Sequence, residues 1–192
     1  KPILCRSLIW VLLCAAVSPA CAQDFITCGW DEVRGMRLTG TNTTRLWTWS
    51  ATNSNLPEHL KPLFSTTDEC KPCPGGRVLV TSSGGDSLNG AVALIEAGST
   101  NVLFYARGPN AHSAELLPSN RVVVALSYQT NGNRLAVFDL SQPDVERLST
   151  SLQGAHGVVW DEARQLLWGL GDSVVAAYRL TNWATSPQLV WV

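Results

Sequence analysis

Charge is scarce in this sequence, and neither sign is in excess. Of the 192 residues, 15% are charged, and the formal net charge is −1. Proteins that bind nucleic acid concentrate lysine and arginine into a basic patch, because contacts to the phosphate backbone supply much of their affinity. The composition therefore predicts no nucleic-acid partner and is ordinary for a globular domain.

Long apolar runs are absent beyond the amino-terminal region. There, Lys1 and Arg6 precede an apolar run over residues 8–17, and small residues continue to Ala22. This order is typical of a secretory signal peptide, predicted over residues 1–22, and the run is short for a permanent membrane span. Because the sequence begins with lysine rather than methionine, we expect its charged region to be incomplete. The sequence thus predicts a secreted, extracellular protein that is not bound to a membrane.

Motifs for nucleotides and metals are missing as well. The stretch "TSSGGDSLNG" (81–90) is rich in glycine but lacks the lysine and the following helix of a phosphate-binding loop. Cys70 and Cys73 have the CxxC spacing, but a structural zinc site needs a second pair of ligands. His112 and His156 would hold a metal only if further ligands joined them. We therefore expect no cofactor and no metal.

What the sequence does contain is a repeat. His112 and His156 each follow an alanine, and 156 − 112 = 44. The same offset places the apolar run 77–80 on 121–124 and then on 165–168. A period near 44 with four short strands per copy, rich in β-branched residues, is typical of a β-propeller blade. The predicted fold class is all-β, a propeller of four-stranded blades.

Four blades are predicted between residues 23 and 192, with approximate bounds 23–67, 68–111, 112–155 and 156–192. In the third blade the pattern predicts strands over 113–117, 121–127, 134–140 and 145–149. The first blade has sequence for only three strands and lacks an innermost one. We therefore expect the chain to be the N-terminal portion of a six- or seven-bladed ring, whose continuation adds at least two blades and the missing strand.

Several stretches resemble a secreted β-propeller family of uncharacterised function: "CGW" (28–30), "WTWS" (47–50), "RVLVTSSGG" (77–85) and "RLAVFDL" (134–140). The resemblance covers nearly all of the mature chain. Its frame is similar to the seven-bladed WD-repeat and YVTN-type propellers, although Phe138-Asp139-Leu140 stands where a WD repeat has its Trp-Asp ending. Some secreted propellers are polysaccharide lyases that use His and Tyr, and the likeness to those is one of architecture.

Propeller geometry predicts a polar concavity at one end of the blades, the upper face. The outer strand of one blade joins the inner strand of the next there, so residues that open inner strands lie at the mouth of the central funnel. Glu115 falls within an inner strand, where an unpaired carboxylate is costly, so it is either paired or functional. The candidate site residues on or near this face are His112, His156, Tyr128, Arg107, Asn110, Glu115, Asn131 and Asp172.

Two functions fit such a concavity. The first is binding or cleavage of an extracellular carbohydrate, most concretely by a lyase acting on a uronic-acid-containing glycan. There Arg107 would neutralise the substrate carboxylate, His112 or Tyr128 would move protons, and His156 would assist. The second is a non-catalytic module that binds a glycan or a protein, in which the histidines bond the neighbouring blade. We expect a monomer in either case.

The mature chain holds an odd number of cysteines: Cys28, Cys70 and Cys73. In an extended strand the Cα atoms of Cys70 and Cys73 would lie roughly 10 Å apart, beyond the reach of a disulfide. Cys28 and Cys70 fall at similar heights in adjacent blades, so we predict that they pair and that Cys73 stays free or pairs elsewhere. Asn42 begins an Asn-Thr-Thr motif, an acceptor for N-glycosylation in a eukaryotic host.

Overall fold

Four antiparallel sheets make up the structure, a computed structural model that describes residues 22–192. The predicted signal peptide lies outside the described residues, apart from Ala22. The first sheet contains β1 (Gln23–Gly29), β2 (Glu32–Thr39) and β3 (Asn42–Ser50). The second contains β4 (Thr67–Cys73), β5 (Arg77–Ser82), β6 (Ala91–Glu96) and β7 (Val102–Arg107).

The third and fourth sheets repeat the arrangement of the second. The third contains β8 (Ala111–Leu117), β9 (Arg121–Leu126), β10 (Arg134–Asp139) and β11 (Glu146–Ser151). The fourth contains β12 (Gly157–Asp161), β13 (Leu166–Leu170), β14 (Val175–Thr181) and β15 (Gln188–Trp191). In the third sheet each predicted strand end lies within two residues of the observed one. The predicted fold class, a propeller of antiparallel blades, is confirmed.

Buried apolar side chains fill the spaces between neighbouring sheets. Leu79 and Phe104 of the second sheet pack against Val124 and Phe138 of the third. The rings of Phe104 and Phe138 have centroids 6.2 Å apart and are tilted by 56°. Each blade thus buries its face only against its neighbour, which explains why β9, a middle strand, is apolar along most of its length and buried on both faces.

The first sheet has three strands, as the sequence predicted. Among the described residues β1 pairs with β2 and with no other strand. Between this sheet and the second, the chain forms short 3₁₀ helices at Ala51–Asn53 and Glu58–Phe64, and the second of these contains His59. Phe64 at its end packs edge-on against Trp49, with ring centroids 5.8 Å apart.

The fourth sheet leaves an apolar face uncovered. The strand register places four exposed large side chains on this face, Val159 at 50%, Leu170 at 49%, Val175 at 64% and Val190 at 44%. The corresponding faces of the second and third sheets are buried against the next blade. Within residues 22–192, no helix has both the length and the apolar character needed to cross a bilayer.

Candidate functional site

The first strands of the second, third and fourth sheets, β4, β8 and β12, lie side by side, and we call them the inner strands. The pairing of β4 with β5 shifts register at Asp68, and that of β8 with β9 shifts register at His112. Each residue is therefore the extra residue of a β-bulge at the start of its inner strand. A bulge bends the strand and turns the side chain out of the regular alternation. The two bulges direct Asp68 and His112 towards each other across two blades.

Asp68, His112, Ser127 and His156 form one connected group, which we call the histidine cluster. Oδ1 of Asp68 lies 3.1 Å from Nδ1 of His112. The rings of His112 and His156 stack with centroids 4.2 Å apart and an interplanar angle of 15°. Nδ1 of His156 lies 3.3 Å from Oγ of Ser127. The structure therefore brings the two predicted histidines together, with a carboxylate at one end of the row and a hydroxyl at the other.

Asp68 is held in its ionised form. Burial tends to raise the pKa of this carboxyl, but hydrogen bonds from the His112 ring and from the Ser83 backbone outweigh it, so the pKa lies below its usual value. The Ser83 amide donates to Oδ2 of Asp68 at 2.6 Å. A carboxylate facing Nδ1 of His112 fixes the proton on that nitrogen and leaves Nε2 as an acceptor. The pair has the arrangement of an oriented general base.

Tyr128 and Asp172 lie beside the histidine cluster. Tyr128 follows Ser127 directly and is 52% exposed. Its hydroxyl hydrogen-bonds to the Asp172 carboxylate, which raises the pKa of Tyr128 above its usual value. Gly154 makes room for that carboxylate, because a Cβ at this position would lie 1.8 Å from Oδ1 of Asp172. The phenol stays protonated, and its ring presents an exposed aromatic surface.

Glu115 is paired. Nζ of Lys71 lies 3.2 Å from Oε2 of Glu115 and 3.5 Å from Oε2 of Glu69, and it donates to the backbone oxygen of Val158 at 2.9 Å. These contacts link the inner strands β4, β8 and β12. Of the two alternatives for Glu115, the structure gives it an ion pair that also offsets the cost of partial burial.

Arg107 and Asn131 lie apart from the histidine cluster. Both line a cavity of about 810 Å³ between the second and third sheets, which we call the interblade cavity. There the Arg107 guanidinium pairs with Asp144 at 2.6 Å. Arg107 therefore already has an anionic partner in the described chain.

Asn110 lies buried where two loops meet, and its backbone is hydrogen-bonded to both. It is 6% exposed and has a φ of 49°. The backbone N–H of Asn110 donates to the backbone oxygen of Leu88. The backbone oxygen of Asn110 accepts from the backbone N–H of Ser127. Asn110 thus ties the loop between β5 and β6, which carries Leu88, to the loop between β9 and β10, which carries Ser127 and Tyr128.

The described cysteines are all free thiols. The thiols of Cys28 and Cys70 are hydrogen-bonded to each other, and this bond lowers the pKa of Cys28 while the same bond and burial raise that of Cys70. Cys73 lies elsewhere on β4, with its Sγ 3.5 Å from the oxygen of Lys71. The proximity of Cys28 and Cys70 supports the predicted pairing, which stays a prediction. Asn42 opens β3 and is exposed.

Among residues 22–192, no group of three or more His, Cys, Asp or Glu side chains is arranged to hold a metal ion. His112 and His156 stack face to face instead of converging their nitrogens on one point. Their chemistry is that of hydrogen bonding and proton transfer.

Two members of the histidine cluster were missed from the sequence, Asp68 and Ser127. The repeat contained a signal for Asp68, since 112 − 44 = 68 places it at the same blade position as His112. The same offset relates Ser83 to Ser127, because 127 − 83 = 44. The residue at this position is aspartate in one copy and histidine in the next two, so the repeat alone did not predict that Asp68 joins the histidines.

Solved structures similar to this chain share its fold at low sequence identity. A functionally unknown protein from Desulfotomaculum acetoxidans DSM 771 aligns with a TM-score of 0.52 and 11% identity over 87% of this chain and 54% of its own. A WD40-type propeller in the mitotic checkpoint complex aligns with a TM-score of 0.56 and 7% identity over 86% of this chain and 52% of its own. The chain thus spans about half the length of these two proteins.

No curated protein matches the chain in sequence. One family model does match, and it covers residues 32–183, most of the described chain. With its blades and its histidine cluster, the chain belongs to the family of unknown function DUF6528.

Proposed function

We propose that this propeller binds an extracellular carbohydrate at the histidine cluster, and that the preferred sugar is neutral. The observation that carries the proposal is the row of Asp68, His112, His156 and Ser127 beside the exposed ring of Tyr128. Sugars present hydroxyls that both donate and accept, together with an apolar ring face. A site that offers imidazole nitrogens, a carboxylate and an exposed aromatic ring matches both features.

The hydrogen-bonding partners of the two rings leave one nitrogen of each for a ligand. Nδ1 of His112 faces Asp68, and Nδ1 of His156 faces Ser127. The Nε2 atoms are therefore the nitrogens available to sugar hydroxyls. Stacking at 4.2 Å keeps the two imidazoles in a fixed relative orientation, which lowers the entropy lost on binding.

The charges around the site favour a neutral sugar over a uronate. Asp68 and Asp172 place two carboxylates there. Two candidate cations have partners of their own, since Lys71 pairs with Glu115, and Arg107, in the interblade cavity, pairs with Asp144. Among residues 22–192, a ligand carboxylate at the cluster would meet negative charge without an unpaired cation beside it, which costs binding energy.

Titration calorimetry on the full-length protein with neutral and uronate oligosaccharides tests the proposal. We expect a neutral sugar to bind and His112→Ala to lower its affinity at least tenfold. The matched control is His59→Ala, which removes an exposed histidine outside the cluster. A protein that binds none of the sugars, or binds them equally well after His112→Ala, would show that the cluster has a structural role.

A second candidate, a uronate lyase, is favoured by the Asp68–His112 pair. In that reaction Nε2 of His112 would take the proton α to the sugar carboxylate, and the electron pair would form a carbon–carbon double bond. The glycosidic oxygen would leave with the proton of Tyr128. Ultraviolet absorbance of the unsaturated product measures this directly. No product from any uronate glycan would exclude the lyase and leave the binding proposal standing.

A further inference from the structure

We infer that the interblade cavity is a second binding site, separate from the histidine cluster, for a neutral polyhydroxylated ligand such as a short saccharide. The inference goes beyond the proposed function, because it concerns a different set of residues between the second and third blades. The volume of the interblade cavity, about 810 Å³, lies within the range of cavities that hold small ligands.

Charge in the cavity cancels. Arg107 contacts Asp144 through its side chain, and its backbone amide also donates to Oδ1 of Asp144 at 2.8 Å. Arg134 contacts Glu146 at 2.8 Å. Two guanidinium groups therefore face two carboxylates, and neither sign is left over for an ionic ligand. This balance favours a neutral partner over an anion or a cation.

Two loops on opposite sides of the cavity supply side-chain amides. Asn89 lies on the loop between β5 and β6, and Gln129 and Asn131 lie on the loop between β9 and β10. An amide offers a donor and an acceptor in one plane, which suits the adjacent hydroxyls of a sugar ring. Among the described residues, the side-chain amides of Asn89 and Asn131 hydrogen-bond to no other protein group.

The backbone supports the same interpretation. Asn131 has a φ of 62°, a left-handed conformation that asparagine tolerates better than most residues. Pro109 lines the wall where the chain passes from the second sheet to the third, and its ring restricts the chain there. The floor includes Phe138, a core residue fixed by its contact with Phe104. The cavity is thus bounded by a rigid base and by two polar loops.

The test uses maltotriose, cellotriose and mannotriose as neutral probes and trigalacturonate as the charged probe. Each is titrated into the full-length protein and into the double variant Asn89→Ala/Asn131→Ala. The control is Asn53→Ala, an exposed asparagine in a 3₁₀ helix away from the cavity. A thermal melt of each variant shows whether it is folded.

We expect at least one neutral probe to bind and the double variant to weaken its binding tenfold or more, which corresponds to about 1.4 kcal/mol. The same titrations are repeated in the His112→Ala background, where the histidine cluster is impaired; the neutral-sugar binding that remains there should be the binding that the Asn89→Ala/Asn131→Ala change weakens. Binding that is lost in His112→Ala and kept in the double variant would overturn the inference while supporting the proposed function. Failure of all three neutral probes to bind, or stronger binding of trigalacturonate, would also overturn it.

Discussion

Joining Cys28 to Cys70 should stabilise the protein substantially, because the two residues close a long loop between the first two blades. The loop contains 70 − 28 + 1 = 43 residues. The chain-entropy relation gives about 4 kcal/mol for a loop of this length at 25 °C. Single domains have total stabilities of roughly 5–15 kcal/mol, so the bond would supply a large share.

The structure also predicts the order in which the bond forms. The hydrogen bond from Cys70 lowers the pKa of the Cys28 thiol, whereas Cys70 has a raised pKa. The Cys28 thiolate should therefore attack oxidised glutathione first and release one glutathione thiolate. Cys70 then gives up its proton, attacks the mixed disulfide and releases the second glutathione.

Non-reducing peptide mapping after this oxidation identifies the bond, and thermal unfolding measures its effect. We expect a peptide with Cys28 linked to the peptide with Cys70, and a rise in Tm of roughly 8–16 °C for a domain of this size. Cys28→Ser should abolish the rise, whereas Cys73→Ser should leave it unchanged. A Cys70–Cys73 link, or a Cys28–Cys70 link without stabilisation, would refute the reasoning.

Two further changes probe the packing and the site. Phe104→Ala removes a ring buried against Phe138 and should cost about 3–5 kcal/mol of unfolding free energy in urea titrations; a loss under 1 kcal/mol would mean that the two blades do not pack as described. Asp68 has a lowered pKa, so its stabilising contribution is present above the ordinary value of 3.8 and is lost as pH falls through the folded value. The urea midpoint of the wild type should therefore fall as the pH is lowered through the pKa of Asp68, and Asp68→Asn should make this fall smaller. Asp86→Asn, which changes an exposed carboxylate, serves as the control.

The repeat predicted the blades because strand pattern and period are local properties of a sequence. Offset by 44, the pairs Cys70–Val80 and Ala114–Val124 have the same register in β4–β5 and β8–β9. The histidines could be placed at the start of inner strands for the same reason. The contacts of the cluster, however, depend on the β-bulges at Asp68 and His112, and the local strand pattern did not predict these bulges.

The rest of the site depends on contacts between distant residues. Arg107 and Asp144 are separated by 37 positions, and their ion pair depends on how the second and third sheets pack. The link between Tyr128 and Asp172 crosses from one blade to the next. Such pairings are fixed by how neighbouring blades pack, which a single sequence leaves open.

The 44-residue offset of the repeat relates Asp68, His112 and His156, the first two at the bulges of β4 and β8 and the third just before β12. Their alignment is held by the stacking of whole blades and not by any one loop. Deleting one complete copy of the repeat should therefore remove one member of the row and keep the order of the others. Excising residues 112–155 would bring His156 into the place that His112 now holds, next to Asp68. His156 would then be the one histidine facing the Asp68 carboxylate, and the row would contain one imidazole instead of two.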